Sequence, residues 1–217
     1  FAQATAARVV AGLVVLGFAR ARNVAGLANA SSSEFGSCVW NLAEGVALAA
    51  DHTVPGDVIL LEQQTAGPNQ VDPNADEGLV PVEWNEAVRA AIADATARGR
   101  IVVEPAANGS EDLDAAVYED PDGVNWFSRD SGAIVVGAGN APGCTQFSGE
   151  PARGRLAFSN FGSRVDVQGW GACVTTTGYG NLWGADASEW YTSDFAGTSS
   201  ASPIVAGAAA VLSSIAA

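Results

Sequence analysis

The sequence predicts an α/β fold of three layers, with a mainly parallel central sheet and helices on both of its faces. Three short apolar runs, each beginning at or beside a glycine, support this prediction: residues 56–63, 99–109 and 131–140. Continuous apolar runs of this length are typical of parallel strands that are buried on both faces. Helical patterns alternate with these runs along the chain, as expected for an α/β protein.

The clearest helical pattern lies between the first two predicted strands, in residues 80–99. Its apolar residues recur at the spacing of one helix face, and Gly99 provides a stop. These residues are Trp84, Val88, Ala91, Ile92 and Ala95. Further helices are predicted at about residues 4–19, within 37–51 and at 203–212, whereas the glycine- and tryptophan-rich residues 169–190 are predicted to form a loop.

Length and composition predict one globular domain over residues 1–217. The chain is 48% hydrophobic, and its 10 basic residues against 24 acidic residues give a formal charge of −14. This charge argues against nucleic acid or an anionic membrane as a partner. No apolar run reaches the roughly 18 residues of a membrane-spanning helix, so none is predicted. The oligomeric state stays open.

Two features bear on how the chain is made. It begins at Phe1 and contains no methionine, so we expect a processed product or a fragment. Its three cysteines, Cys38, Cys144 and Cys173, allow at most one internal disulfide. The sequence does not choose among the possible pairs.

Candidate functional residues follow the predicted strands. In open parallel sheets, ligands bind at the carboxyl ends of the strands. Asn108 follows the second strand, and Ser199 lies at the start of the last predicted helix, where free backbone N–H groups can stabilise an oxyanion. The alternative is that Ser199 is only the N-cap of that helix.

Three segments resemble those of the subtilisin-like serine peptidases. Residues 197–203, Gly-Thr-Ser-Ser-Ala-Ser-Pro, are similar to the family's nucleophile motif Gly-Thr-Ser-x-Ala-x-Pro. Residues 106–109, Ala-Ala-Asn-Gly, resemble its Ala-Gly-Asn-Gly segment, and residues 158–171 resemble the strand and turn that precede the nucleophile. The resemblance extends over about residues 26–217, with the motifs in the family's order.

This resemblance implies a subtilisin-like fold and hydrolysis of peptide bonds. Ser199 would be the nucleophile and Asn108 the side-chain donor of the oxyanion hole. It also implies that Leu61, Glu62, Gln63 and Ala106 line the substrate pocket, where a peptide would bind as an extended strand. The expected partner is therefore a peptide or protein substrate or ligand, and the expected location is secreted or extracellular.

The residues that would activate Ser199 depart from the family pattern. The family's Asp segment would lie upstream of Phe1, and Ala11 stands at the position of the family's His. His52 is the only histidine, and it is expected at a helix end, at the amino edge of the sheet and far from Ser199. Two hypotheses follow: an endopeptidase domain whose Asp and His come from a segment missing from this chain, or a non-catalytic pseudopeptidase that acts as a binding or scaffold module.

No cofactor is expected, and calcium is the one metal that the sequence allows. Asp120, Asp122 and Asn125 could supply oxygen ligands, and many subtilisin-like proteins bind calcium. Their spacing does not fit the twelve-residue calcium loop, so an acidic turn exposed to solvent is the favoured interpretation.

Overall fold

A computed structural model describes residues 41–178, 180, 182 and 186–216. The predicted helix at residues 4–19, Ala11 and Cys38 lie outside the described residues. The described helices are α1 (Leu42–Asp51), α2 (Glu86–Ala97) and α3 (Thr198–Ala216). The described strands are β1 (Val58–Leu60), β2 (Gln64–Ala66), β3 (Leu79–Pro81), β4 (Ile101–Pro105), β5 (Ile134–Gly139), β6 (Val167–Trp170), β7 (Val174–Thr177) and β8 (Tyr191–Phe195).

The central sheet has four parallel strands in the order β1-β4-β5-β6. The three apolar runs of the sequence supply β1, β4 and β5, so the prediction of a parallel sheet is confirmed. Leu61 extends the β1–β4 pairing by one bond, because its N–H donates to the Val103 carbonyl at 2.9 Å. The segments after β1 and β4 therefore leave the sheet side by side.

Helices cover both faces of this sheet. On β4, Val102 belongs to the core cluster that contains Ile92 of α2, whereas Val103 belongs to the cluster that contains Ala201 and Ala206 of α3. Successive side chains of a strand point to opposite faces, so α2 and α3 lie on opposite sides of the sheet. Helix α1 packs with α2. The predicted three layers are confirmed.

Helix α3 is longer than predicted and runs the length of the sheet. It contacts β1, β4, β5 and β6, and near its end the Ser213 hydroxyl donates to the Gly56 carbonyl at 2.7 Å. By length and composition alone, it is the one described helix that could cross a membrane, which the sequence analysis did not detect. Its contacts with all four strands are those of a helix packed on a sheet.

The predicted loop at residues 169–190 contains regular structure. Strands β7 and β8 form an antiparallel pair, with Thr176 opposite Thr192. Three consecutive threonines follow Val174, and β-branched residues favour strands, a signal that the surrounding glycines obscured. The turn before β7 is fixed by a disulfide between Cys144 and Cys173, whose Cα atoms are 5.7 Å apart.

A buried ion pair crosses the interior near the amino ends of β5 and β6. Arg164 Nε and Nη2 donate to the two carboxylate oxygens of Glu83 at 2.6 and 3.0 Å, and both side chains are almost fully buried. Glu104 on β4 is also fully buried, and neither of its carboxyl oxygens has a hydrogen-bond partner among the described residues. Burial raises the pKa of Glu104, and the nearby Glu83 charge raises it further, whereas Arg164 lowers it.

We expect Glu104→Gln to stabilise the fold at neutral pH. A group whose pKa is raised by folding stabilises below its ordinary pKa, and this stabilisation is lost as the pH rises toward the native pKa. Glutamine cannot ionise, so the variant should lack that loss. Urea unfolding of both proteins from about pH 4 to pH 9 should show an advantage for the variant that grows with pH. Parallel pH profiles would contradict this account.

We expect the double variant Cys144→Ala/Cys173→Ala to lose about 3–4 kcal/mol of unfolding free energy. The disulfide closes a loop of 29 residues, and cross-linking a loop of that length removes chain entropy of about this size from the unfolded state. Denaturant unfolding measures the difference. The oxidised protein with Cys38→Ser is the control, and it should retain the disulfide.

Candidate active site

The N-terminus of α3 lies against the loop that follows β4. The backbone N–H and the hydroxyl of Thr198 both donate to Asn108 Oδ1, each at 2.9 Å. Asn108 therefore accepts the first N–H group of the helix from another part of the chain. Ser199 is the second residue of α3, so the alternative interpretation of Ser199 as the N-cap is wrong.

The other hydroxyl groups at this helix start are held by the backbone. Ser200 Oγ bonds the carbonyls of Trp170 and Gly197 at 3.0 and 2.8 Å, and Ser202 Oγ donates to the Thr198 carbonyl at 2.9 Å. The Ser199 hydroxyl forms no such bond among the described residues, and the nearby Glu62 carboxyl group is the ionisable group whose pKa it influences. The serine-rich run thus leaves the Ser199 hydroxyl without a backbone partner in the described part of the chain.

Two N–H donors flank an open space beside Gly197. A Cβ atom on Gly197 would lie 3.5 Å from Asn108 Nδ2 and 3.6 Å from the Ser199 backbone nitrogen. Neither nitrogen has a hydrogen-bond partner among the described residues. Gly197 has a φ of 114°, which side-chain-bearing residues rarely adopt. The site therefore offers two unbonded donors next to the Ser199 hydroxyl.

A side chain of β2 holds the backbone of Asn108 in place. Its backbone N–H donates to Gln64 Oε1 at 2.9 Å. Sequence analysis did not single out Gln64 or Thr198, because a bond between a side chain and a distant backbone group leaves no local pattern. Ala107 precedes Asn108 with a φ of 73°, a left-handed backbone that costs a non-glycine residue about 1 kcal/mol.

Glu62 is the only ionisable residue among the four pocket candidates. Its Oε1 atom is fully buried and has no hydrogen-bond partner among the described residues. Burial raises the pKa of Glu62 well above its ordinary value, and the nearby Ser199 hydroxyl lowers it in part. No charged side chain in the described part of the chain contributes to this shift.

The other pocket candidates differ in exposure. Leu61 packs in the core cluster shared with α1 and α2, and Ala106 is fully buried where its N–H donates to the Val136 carbonyl. Gln63 is exposed. Glu62 and Gln63 are therefore the side chains of this group that lie free of the main core.

His52 lies far from Ser199. It ends α1 as the C-cap, and its Nδ1 lies 2.9 Å from the Leu48 carbonyl oxygen. Gly56 follows it closely and contacts Ser213, which is about 21 Å from Ser199 along the axis of α3. The predicted helix-end position of His52 is confirmed.

The acidic turn at Asp120 is satisfied by protein groups. Asp120 Oδ1 accepts the N–H groups of Asp122 and Val124 at 2.9 and 3.0 Å, and its other oxygen pairs with Arg129. These bonds lower the pKa of Asp120, the backbone bonds more than Arg129. Asn125 Oδ1 accepts the Phe127 N–H at 2.8 Å. Within the described ranges, no group of three or more His, Cys, Asp or Glu residues could hold a metal ion.

Two solved structures are similar to this one. A cold-adapted subtilisin-like serine proteinase is 20% identical, with a TM-score of 0.50 over 81% of this chain and 49% of that chain. The epidermin leader peptide processing serine protease from Staphylococcus aureus is 22% identical, with a TM-score of 0.51 over 84% of this chain and 46% of that chain. The chain spans about half the length of these structures. The predicted subtilisin-like fold is confirmed.

Comparison with protein families gives a match over most of the chain. No curated protein matches the chain. The model of the subtilase family matches residues 23–217. The chain therefore belongs to the subtilase family.

Proposed function

We propose that this chain is the nucleophile-bearing part of a serine endopeptidase, in which Ser199 attacks the carbonyl carbon of a peptide bond. The observation that carries the proposal is the pair of unbonded donors, Asn108 Nδ2 and the Ser199 N–H, beside the Ser199 hydroxyl. A tetrahedral intermediate places a negative oxygen next to the attacking atom, and donors fixed in advance stabilise that oxygen. Membership of the subtilase family supports the same function.

The chemistry follows from this geometry. A general base takes the Ser199 Oγ proton as Oγ bonds to the carbonyl carbon, and the carbonyl oxygen becomes an oxyanion that Asn108 Nδ2 and the Ser199 N–H stabilise. When the C–N bond breaks, the amine leaves with a proton, and the acyl group stays on Ser199 until water hydrolyses it. Gly197 leaves room beside the donors, because a methyl group there would be in van der Waals contact with both of them.

Peptides or proteins are the proposed substrates. Glu62 and Gln63 follow the last residue of β1, at the carboxyl edge where Asn108 also lies. An extended peptide beside this edge would place its scissile bond near Ser199. Leu61 and Ala106 remain proposed pocket residues. Because both are buried, they would shape the pocket wall and present little surface to a substrate.

A secreted or extracellular location is part of this proposal. The Cys144–Cys173 disulfide supports it, since such bonds persist mainly in oxidising compartments. The formal charge of −14 favours peptide partners over nucleic acid or an anionic membrane.

We expect a fluorophosphonate probe to label Ser199 in the folded chain and to leave Ser199→Ala unlabelled. Asn108→Asp should slow labelling by at least about 10²- to 10³-fold, a range that comes from subtilisin itself. Aspartate keeps the oxygen that accepts from Thr198, and a negative charge suits a helix N-terminus. The variant should therefore fold while lacking the N–H donor. Gel fluorescence and intact-protein mass measure the rate and the stoichiometry.

Asn85→Asp is the matched control for this experiment. Asn85 caps α2 by accepting from the N–H groups of Ala87 and Val88, so the same change is made at a helix start remote from Ser199. Its labelling should equal that of the unmodified chain. A folded chain that the probe does not label would overturn the endopeptidase proposal and favour a pseudopeptidase that binds peptides without cleaving them.

A further inference from the structure

We propose that the Gln64 side chain limits the size of the substrate pocket, so that this chain accepts only a small side chain on the residue whose carbonyl carbon Ser199 attacks. This inference rests on the proposed function and names its substrate class: peptides with glycine, alanine or serine before the scissile bond. It starts from the hydrogen bond that the Asn108 backbone N–H donates to Gln64 Oε1 at 2.9 Å. Gln64 is not among the four pocket residues that the resemblance implied.

The Gln64 side chain bridges the two walls of the proposed pocket. The walls are the segment after β1 and the segment after β4, which leave the sheet side by side. Gln64 belongs to the first segment and Asn108 to the second, so their hydrogen bond crosses from one wall to the other. At this point the walls are one side chain apart, and the Gln64 side chain occupies the gap between them.

The substrate residue that carries the attacked carbonyl would lie next to this bridge. In the tetrahedral intermediate, its carbonyl oxygen is held by Asn108 Nδ2 and the Ser199 N–H. Its Cβ atom is two covalent bonds from the carbonyl carbon, so its side chain begins close to Asn108. Because Gln64 bonds the backbone N–H of that same asparagine, a side chain that extends along this wall meets the Gln64 amide.

Strand β3 fastens the Gln64 wall to the Asn108 wall. Gln64 begins β2, which pairs with β3. The carbonyl of Leu79 in β3 accepts Asn160 Nδ2 at 2.8 Å, and the Asn160 backbone N–H donates to the Ala107 carbonyl at 3.1 Å. The residue before Asn108 is therefore tied to the same strand that pairs with β2.

Gly109 ties the residue after Asn108 to this strand as well. A Cβ atom on Gly109 would lie 2.0 Å from the Leu79 carbonyl oxygen, so the two backbones are in direct contact. The Gly109 carbonyl also accepts the Gly78 N–H at 3.1 Å. Since the Asn108 wall is held on both sides, a large substrate side chain must displace Gln64 rather than push the walls apart.

Displacement of Gln64 is unfavourable for binding and for catalysis. Gln64 Oε1 is the only acceptor of the Asn108 N–H among the described residues, and a partly buried N–H without an acceptor weakens binding by about 10- to 100-fold. Ala107 has a left-handed backbone with a φ of 73°, a conformation that persists only where surrounding contacts enforce it. Loss of the Gln64 bond therefore also loosens the loop that presents Asn108 Nδ2.

The test compares two peptide diphenyl phosphonates that differ only in the residue attached to phosphorus, one an analogue of alanine and the other of phenylalanine. Ser199 Oγ bonds to phosphorus, and phenol leaves with the hydroxyl proton. We expect the alanine probe to label the 217-residue chain at least about 10-fold faster than the phenylalanine probe. In Gln64→Ala the two rates should become similar, because the gap between the walls is open. Intact-protein mass measures each rate.

Gln63→Ala is the matched control, since Gln63 is an exposed glutamine next to Gln64 in the chain. It should keep the alanine preference of the unmodified chain. Gln64→Glu should keep it too, because a carboxylate oxygen at the same distance along the side chain can accept the Asn108 N–H. A purely structural role of Gln64 would slow both probes equally and leave the ratio of their rates unchanged. Thermal unfolding checks that each variant is folded.

The two proposals fail separately in this design. If a fluorophosphonate without a peptide labels Ser199, but the phenylalanine probe labels the unmodified chain as fast as the alanine probe, the role of Gln64 is overturned and Ser199 keeps its role. A folded Gln64→Ala protein that retains the full alanine preference also overturns it. If the fluorophosphonate does not label the folded, unmodified chain, the endopeptidase proposal falls, and the inference that rests on it falls too.

Discussion

The two hydrogen bonds from Thr198 to Asn108 Oδ1 join the end of β4 to the start of α3, and the whole site depends on them. A helix begins with N–H groups that have no partner in the helix, and a buried start needs an acceptor from elsewhere. Because Asn108 supplies that acceptor through Oδ1, its Nδ2 is left to face the space beside Gly197. One amide thus fixes the helix and presents a donor to a ligand.

The two buried glutamates illustrate how the cost of an ionisable group depends on its neighbours. Glu104 lies beside a second carboxyl group and an arginine in the interior, where Glu83 and Arg164 already form a satisfied pair. Glu62 follows β1 at the carboxyl edge of the sheet, and its buried Oε1 has no hydrogen-bond partner among the described residues. Both lose solvation on folding, and burial raises the pKa of each. Burial therefore disfavours the ionised form of both groups, and Arg164 offsets part of that cost for Glu104.

Much of the fold could be predicted from the sequence because parallel strands buried on both faces leave continuous apolar runs. Asn108 and Ser199 could be selected for a related reason: one follows such a run and the other precedes an apolar helix. The role of Gln64 could not be predicted, since its bond to the Asn108 N–H spans a turn whose path is irregular. The same limit applies to the pairing of Cys144 with Cys173, which depends on two distant loops meeting.

Strand order also explains why His52 lies away from Ser199. All four strands are parallel, so the residues after β1 and β4 are neighbours at the carboxyl edge, while His52 precedes β1 at the other edge. Several described carboxyl groups follow those strands, among them Glu62 after β1 and Glu111 after β4. Glu111 Oε2 already accepts the Tyr118 hydroxyl and the Asn69 amide, each at 2.7 Å. The topology that separates His52 from the nucleophile therefore brings the segments after β1 and β4 to the edge where α3 begins.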